Sequence, residues 1–242
     1  GDVYKRQLPD IAGYVGADTC GCLLAIRQDQ QEEISLMIDI GTNGEMVLGN
    51  RERMVTCSTA AGPAFEGAKI ECGMRGAAGA VDHVKYEEGK WNYTTVGNKP
   101  AVGLCGSGLI DLVAGLLDAG MLDENGVLRS GQEKQGVFIL VPTERGGNER
   151  GVYLTQKDLG EVQLAKAAIA AGIQMLMERL GITEDDICSV YIAGAFGNYM
   201  DPVSAGKIGL LPATLVKKVK PVGNAAVSYT HLRAHETLSD LV

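Results

Sequence analysis

The sequence is poor in the features that mark nucleic-acid or membrane partners. Aromatic residues make up 5% of its 242 residues, and 22 Lys and Arg face 30 Asp and Glu, for a net charge of −8. No apolar run approaches the roughly 18 residues that span a bilayer, and the first residues contain no apolar stretch of the signal-peptide kind. An acidic chain without a basic stripe argues against nucleic acid and anionic membrane surfaces as partners.

Metal-binding cysteine and histidine patterns are also missing. The six cysteines form no C-x-x-C pair, and three histidines are too few and too scattered to complete a zinc site. Cys20 and Cys22, separated by one residue, are candidates to ligate a metal, but buried, reduced thiols are the simpler interpretation. This interpretation predicts a cytoplasmic protein.

Glycine and apolar residues, by contrast, are abundant. The 33 Gly residues and the 45% apolar content suit one large domain or two small ones with many tight turns. An apolar run at 34–40 predicts a strand, and 106–119 has the amphipathic period of a helix. This mixture predicts an α/β fold with a mixed sheet flanked by helices, in which the first hairpin requires some antiparallel pairing.

Three further segments carry clear secondary-structure signals. Small residues at 9–26 predict a closely packed helix. A Thr-x-x-Asp capping box at 155–158 opens a long helix, and a glycine at 181 ends it. Residues 123–151 are rich in turn residues and predict a surface insert with one strand, at 137–141.

The two ends differ in character from the rest. The first seven residues, GDVYKRQ, and the last sixteen, from Val227, resemble translated sequencing-adaptor read-through. We therefore expect non-native tails at 1–7 and 227–242 and a natural sequence at 8–226 that is truncated at both ends. The alternative is an ordinary disordered terminus.

A glycine-rich segment after the first predicted strand has the composition of a phosphate-binding hairpin: Asp39-Ile40-Gly41-Thr42-Asn43-Gly44. Asn-Gly between apolar runs predicts a tight type I′ turn with positive φ at both residues. Exposed N–H groups in such a turn suit phosphate oxygens, and Thr42 adds a hydroxyl donor. Asp39 would repel phosphate unless a cation lay between them, so its predicted role is to hold Mg²⁺, directly or through water. The alternative is an ordinary hairpin whose Asp caps the turn.

Two later segments offer polar groups for the same ligand. Ser58, Thr59 and Gly62 follow the hairpin and are candidates to line a polar pocket. Gly106-Ser107-Gly108 precedes a helix, whose N-terminal N–H groups favour anions or the edge of a ribose phosphate. A plain loop with a Ser cap is the alternative there.

A third segment, Gly194-Ala195-Phe196-Gly197-Asn198, ends a buried strand. Its small residues let a flat ring approach the backbone closely. Taken with the hairpin and the loops, it resembles the motifs of the acetate kinase, sugar kinase, heat-shock chaperone and actin superfamily. In that resemblance 39–44 is the second phosphate motif, 58–67 the loop after it, and 190–197 the adenosine motif. The resemblance implies a ribonuclease H-like, actin-type ATPase lobe that binds ATP and Mg²⁺.

One family within the superfamily is most similar. Six motifs together resemble the ATP-dependent reductive activators of corrinoid proteins, over nearly all of 8–226: LPDIAGYVGAD, IDIGTNGEM, CSTAAGPAFEGA, CGSGLIDLV, LTQKD with QLAKAAI, and AGAFGNYMDP. The resemblance implies a C-terminal ATPase lobe that helps to drive electrons onto the cobalt of a corrinoid protein in a methyltransferase system. Family members carry an upstream [2Fe–2S] domain and a first ATPase lobe, which we expect to be missing here.

The resemblance also bounds what the chain can do. The opposing phosphate hairpin, another Asp-x-Gly-Thr, cannot fit into the 38 residues before Asp39, so the fragment is expected to be inactive alone. The alternatives are a small-molecule kinase, a chaperone-like ATP-binding module of the same superfamily, or a structural domain that has lost nucleotide binding. The composition leaves a homodimer through this lobe open.

Overall fold

The secondary structure follows the predicted α/β pattern. The computed structural model describes residues 11, 15–123, 125–129, 136–144, 146–147, 151–194 and 199–223. The strands are β1 (Ser35–Ile40), β2 (Gly44–Gly49), β3 (Met54–Thr59), β4 (Ala80–Glu87), β5 (Lys90–Thr95), β6 (Gly103–Leu104), β7 (Val137–Val141), β8 (Val152–Thr155), β9 (Ser189–Ala193) and β10 (Val219–Gly223). The helices are α1 (Ala17–Ile26), α2 (Gly106–Asp118), α3 (Gln156–Leu180) and α4 (Pro202–Lys207).

A five-stranded mixed sheet forms the centre, in the order β10-β9-β1-β2-β3. β1, β2 and β3 form an antiparallel meander, whereas β9 runs parallel to both β1 and β10. The hairpin between β1 and β2 therefore lies at the same edge as the carboxyl end of β9. This topology brings two of the predicted nucleotide motifs together, because parallel strands end at one edge of a sheet.

Both faces of the sheet are covered by helices, as expected for strands that are nearly continuously apolar. On one face, Leu36, Ile38 and Ile40 belong to the main core, which also contains Ile169 and Ile173 of α3. On the other face, Met37 forms a small cluster with Val47 of β2, Ala193 of β9, and Cys22 and Leu23 of α1. Because side chains alternate along a strand, Asp39 belongs to the face that α1 covers.

A smaller layer carries α2. The strands β5, β4 and β6 form a three-stranded sheet, and α2 packs directly on β4. A third, two-stranded sheet pairs β7 with β8. Trp91 of β5 joins the two small sheets, since its ring centroid lies 4.8 Å from that of Phe138.

The long helix α3 begins at the predicted capping box, which is confirmed. The backbone N–H of Asp158 donates to the Thr155 hydroxyl at 3.1 Å, and the N–H of Thr155 donates back to the Asp158 carboxylate at 2.9 Å. The helix ends at Gly181, whose φ of 71° lies in the left-handed region. The same Asp158 accepts from the N–H of Glu71 at 2.9 Å, which ties the helix to a distant loop.

The structure differs from the sequence prediction in three respects. The first helix begins at Ala17, because Gly16 is extended at φ −88° and ψ −172° and caps it; residues 9, 10 and 12–14 lie outside the described residues. β6 and β8 were not predicted, since both are short and exist through pairing with distant strands. The cysteines are all free, as predicted, but only Cys22 and Cys105 are buried, whereas Cys188 is exposed and the other three are half-buried. None of the helices described has both the length and the apolar character needed to cross a membrane.

Candidate functional site

A cleft of about 940 Å³ opens at the edge of the large sheet where β1 and β9 end. Its size lies within the range of small-molecule sites, about 300–1,000 Å³. Residues of the β1–β2 loop, the first turns of α1 and α2, and the end of β9 line it. The predicted residues that line it are Asp39, Gly41, Thr42, Asn43, Gly106, Ser107 and Gly194.

The β1–β2 turn is a three-residue loop, and the prediction of a type I′ turn is wrong. Ile40 pairs with Gly44, which leaves residues 41–43 in the loop, and the N–H of Gly41 donates to the carbonyl of Asn43 at 3.0 Å. Neither Asn43 nor Gly44 has a positive φ. The N–H groups of Thr42 and Asn43 have no acceptor among the described residues, so the loop still offers two exposed donors.

Gly44 is required by packing rather than by the turn. A Cβ at Gly44 would lie 2.9 Å from the Thr59 hydroxyl and 3.3 Å from a side-chain carbon of Ile169. Thr59 itself donates to the carbonyl of Gly44 at 3.2 Å. The hairpin therefore rests closely on β3 and α3, which gives the loop a rigid base.

Asp39 is a half-buried residue of the cleft lining, with two other acids, Glu45 and Asp18, nearby. Burial raises the pKa of its carboxyl above the ordinary value, and the nearby charges of Glu45 and Asp18 raise that pKa further. The thiol of Cys22 donates to Asp39 Oδ2 at 3.7 Å, which acts in the opposite direction. A carboxylate in this setting would be stabilised in its charged form by a bound cation.

The space around Asp39 fits such a cation. Gly194 follows β9 with a φ of 101°, and a Cβ there would lie 3.1 Å from Asp39 Oδ1 and 2.8 Å from the carbonyl oxygen of Ile40. Glycine therefore leaves the carboxylate room on the cleft side. No group of three or more metal-ligating side chains occurs among the described residues, so a cation held here would need further ligands from a nucleotide or water. Mg²⁺ typically binds in this way, through one or two carboxylates plus substrate phosphates.

The N-terminus of α2 forms another wall. The N–H groups of Gly106, Ser107 and Gly108 precede the first intrahelical bond, which Leu109 donates to the carbonyl of Cys105. Gly106 and Ser107 line the cleft, and free N–H groups at a helix start favour anions. Gly108 does not line it, because it packs against the backbone of β4.

Three further predicted residues do not line the cleft, and a fourth, Thr42, lines it with its hydroxyl already bonded. Ser58 donates to Glu45, which does line the cleft, at 3.3 Å, and Thr59 supports Gly44 as described. Gly62 has a φ of 72° before a short 3-10 turn, with open space around its Cβ position. The hydroxyl of Thr42 faces the cleft but donates to Glu66 at 2.8 Å. The predicted residues Ala195, Phe196, Gly197 and Asn198 lie outside the described residues.

Sequence reasoning missed most of the charged residues of the cleft. Arg75 is the one basic residue among the described residues that line it. Glu45 was detectable in principle, because it follows Asp39 across a short hairpin and must share its face. The acidic residues of the lining are Asp18, Asp39, Glu45, Glu66 and Asp82.

The sheet order, the loop at its edge and the cleft beside it define an α/β lobe of actin-like fold. Comparison with known families and structures agrees. The family described as the C-terminal domain of RACo, the ASKHA domain, matches residues 33–239, and the chain belongs to this family.

Three similar proteins have related names. The chain is 40% identical over 234 residues to a corrinoid activation enzyme, RamQ, of Eubacterium limosum, with 90% of the chain covered. It is 31% identical over 242 residues, with 91% covered, to the reductase of a Co(II) methylated amine-specific corrinoid protein of Methanosarcina barkeri. A solved structure of a reductive activator for a corrinoid, iron-sulfur protein superposes with a TM-score of 0.88 and 40% identity over 96% of the chain.

The chain spans about two fifths of each of these proteins: 39% and 42% of the two curated relatives and 39% of the solved chain. The match favours the reductive activators over the kinase and chaperone alternatives.

Proposed function

We propose that this chain is the C-terminal ATPase lobe of a protein that couples ATP hydrolysis to the reduction of a corrinoid protein. The observation that carries the proposal is the meeting of the β1–β2 loop, the N-terminus of α2 and Gly194 in one cleft. These elements offer N–H donors for phosphates and a carboxylate for a cation on rigid supports. Membership of the RACo C-terminal family supports the same activity.

Each cleft element has a role in this proposal. Asp39 holds Mg²⁺, directly or through water, while the N–H groups of Thr42 and Asn43 bind phosphate oxygens. The start of α2 at Gly106 and Ser107 binds ribose or phosphate. Gly194 admits the nucleotide close to the backbone. Thr42 must exchange its bond with Glu66 for a phosphate oxygen if its hydroxyl takes part.

The longer protein would provide what the lobe lacks. We propose that an upstream lobe supplies the opposing phosphate hairpin and that an upstream [2Fe–2S] domain supplies electrons to the cobalt of a corrinoid methyltransferase component. A nucleotide that contacts both lobes favours the closed arrangement through its higher affinity for that state. We further propose that this reaction takes place in the cytoplasm.

The nucleotide part of the proposal is testable on this chain. We expect weak binding of Mg-ATP, because the chain spans about two fifths of its relatives. In a titration followed by amide NMR, the shifts should concentrate at 41–43, 106–107 and 194. Asp39→Asn should abolish the part of these shifts that depends on Mg²⁺. Asp29→Asn, at an exposed carboxylate outside the cleft, should behave as wild type. Tight binding of Mg-ATP, or chemical-shift changes at other residues, would contradict the assignment of this cleft as one half of a nucleotide site.

The corrinoid part needs the longer protein. A chimera in which this chain replaces the matching C-terminal domain of the Eubacterium limosum relative should support ATP-dependent formation of Co(I) in that relative's corrinoid protein, followed by absorbance. The Asp39→Asn chimera should lose this activity while retaining its fold by circular dichroism. A wild-type chimera that folds and hydrolyses ATP, yet leaves the cobalt oxidised, would contradict the proposed coupling of ATP hydrolysis to cobalt reduction.

A further inference from the structure

A row of three polar side chains crosses the antiparallel half of the large sheet beside the cleft. Asp39 of β1 lies directly opposite Glu45 of β2, and Glu45 lies directly opposite Ser58 of β3. Residues opposite each other in antiparallel strands project to the same face with neighbouring Cβ atoms. The row therefore presents two carboxylates and a hydroxyl side by side, where the sheet meets the cleft.

The two carboxylates have no basic partner within the described part of the chain. The ion pairs found there involve neither Asp39 nor Glu45. Like charges directly opposite each other destabilise a sheet, and both side chains are only partly exposed, which limits screening by water. A structural role alone would be better served by one neutral residue, so the pair suits a bound cation.

Glu45 is also held in place. The Ser58 hydroxyl donates to Glu45 Oε1 at 3.3 Å, which engages one oxygen and leaves Glu45 Oε2 without a donor among the residues that the structure describes. Glu45 itself lines the cleft, whereas Ser58 does not. This geometry resembles the usual arrangement of metal sites, in which a ligating carboxylate is oriented by a hydrogen bond from behind.

We propose that Glu45 is a second carboxylate, beside Asp39, for the divalent cation that accompanies the nucleotide, and that Ser58 is its positioning residue. The inference rests on the proposed function, namely that the cleft binds a Mg-nucleotide. In this proposal Ser58 orients Glu45 through a hydrogen bond and does not itself line the nucleotide pocket. Two carboxylates with the remaining positions taken by phosphate and water match the preference of Mg²⁺.

The test compares ATP binding with and without Mg²⁺ in the full chain, by amide NMR titration. In wild type, Mg²⁺ should strengthen ATP binding. In Glu45→Gln the dissociation constants for ATP with and without Mg²⁺ should become similar. The factor by which Mg²⁺ strengthens ATP binding should fall by about tenfold or more. Glu33→Gln, the same change at an exposed position outside the cleft lining, should keep the full Mg²⁺ effect.

Ser58 is tested by a pair of variants. Ser58→Ala should weaken the Mg²⁺ effect by about tenfold, and Ser58→Thr, which keeps a hydroxyl, should restore it. Urea unfolding checks the fold of each variant, and Glu45→Gln should be at least as stable as wild type because it removes a like-charge pair.

The outcomes separate this inference from the proposed function. Absence of ATP binding at the cleft in wild type would remove both. If Asp39→Asn abolishes the Mg²⁺ effect while Glu45→Gln keeps it, the cleft still binds Mg-ATP, but Glu45 has no part in holding the cation. If Glu45→Gln loses the effect and Ser58→Ala keeps it, the positioning role of Ser58 is overturned.

Discussion

Gly108→Ala tests whether the start of α2 depends on direct contact with β4. A Cβ at Gly108 would lie 2.8 Å from the carbonyl carbon of Val81 and closer still to its oxygen. Because the obstacle is backbone, α2 must move away from β4. Overpacking of this kind costs about 1–3 kcal/mol, and a backbone obstacle belongs at the upper end. The better helix propensity of alanine offsets about 1 kcal/mol of this cost. We therefore expect the free energy of unfolding to fall by about 2 kcal/mol.

The matched control is Gly160→Ala in α3, where nothing lies within 4 Å of the Cβ position. The same chemical change should there stabilise the protein by about 0.5–1 kcal/mol. Urea unfolding of both variants gives the two free energies. Opposite signs would support the close approach of α2 to β4, and a Gly108→Ala variant as stable as Gly160→Ala would refute it. Gly108→Ala should also weaken the ATP-induced amide shifts at 106–107, since the helix start moves with α2.

Three further predictions concern other parts of the fold. Thr155→Ala should lower the free energy of unfolding by about 1 kcal/mol through loss of the capping box, measured by urea unfolding. Burial raises the pKa of the Asp111 carboxyl above its unfolded value of 3.8, so its contribution to stability is lost as pH rises through the folded pKa. The stability of Asp111→Asn relative to wild type should therefore increase from about pH 4 towards neutrality; a pH-independent difference would contradict this. Iodoacetamide should alkylate exposed Cys188 before Cys57, whose pKa is raised by burial, and peptide mass mapping would reveal the reverse order.

The large elements could be predicted because their signals are local. The apolar run of β1, the helical period of α2 and the capping box at Thr155 each depend on neighbours a few residues away. Asp39 could likewise be placed at the end of a strand, where a carboxylate beside a glycine-rich loop indicates a cation. The family resemblance rested on segments that include these, together with 57–68 and 193–202, and was confirmed.

The differences from the prediction concern residues whose role depends on contacts with residues that are distant in the sequence. Asn43-Gly44 has the local signature of a type I′ turn, yet Gly44 is small because Thr59 and Ile169 lie against it. Ser58 is a small polar residue of the kind that lines pockets, but its partner Glu45 can be identified only once the register of β2 and β3 is known. The sequence shows which residues are small or polar, whereas the fold shows which neighbouring groups require a small or polar residue at that position.

The charges of the cleft connect the lobe's structure to its proposed use. Among the described residues that line it, five carboxylates face one guanidinium, Arg75. ATP is itself strongly anionic, so the cleft as it stands would repel the ligand that its N–H donors are arranged to bind. A divalent cation between Asp39 and the phosphates resolves this conflict, because it replaces repulsion by attraction on both sides. Nucleotide affinity should therefore depend on the metal more than on any single hydrogen bond of the cleft.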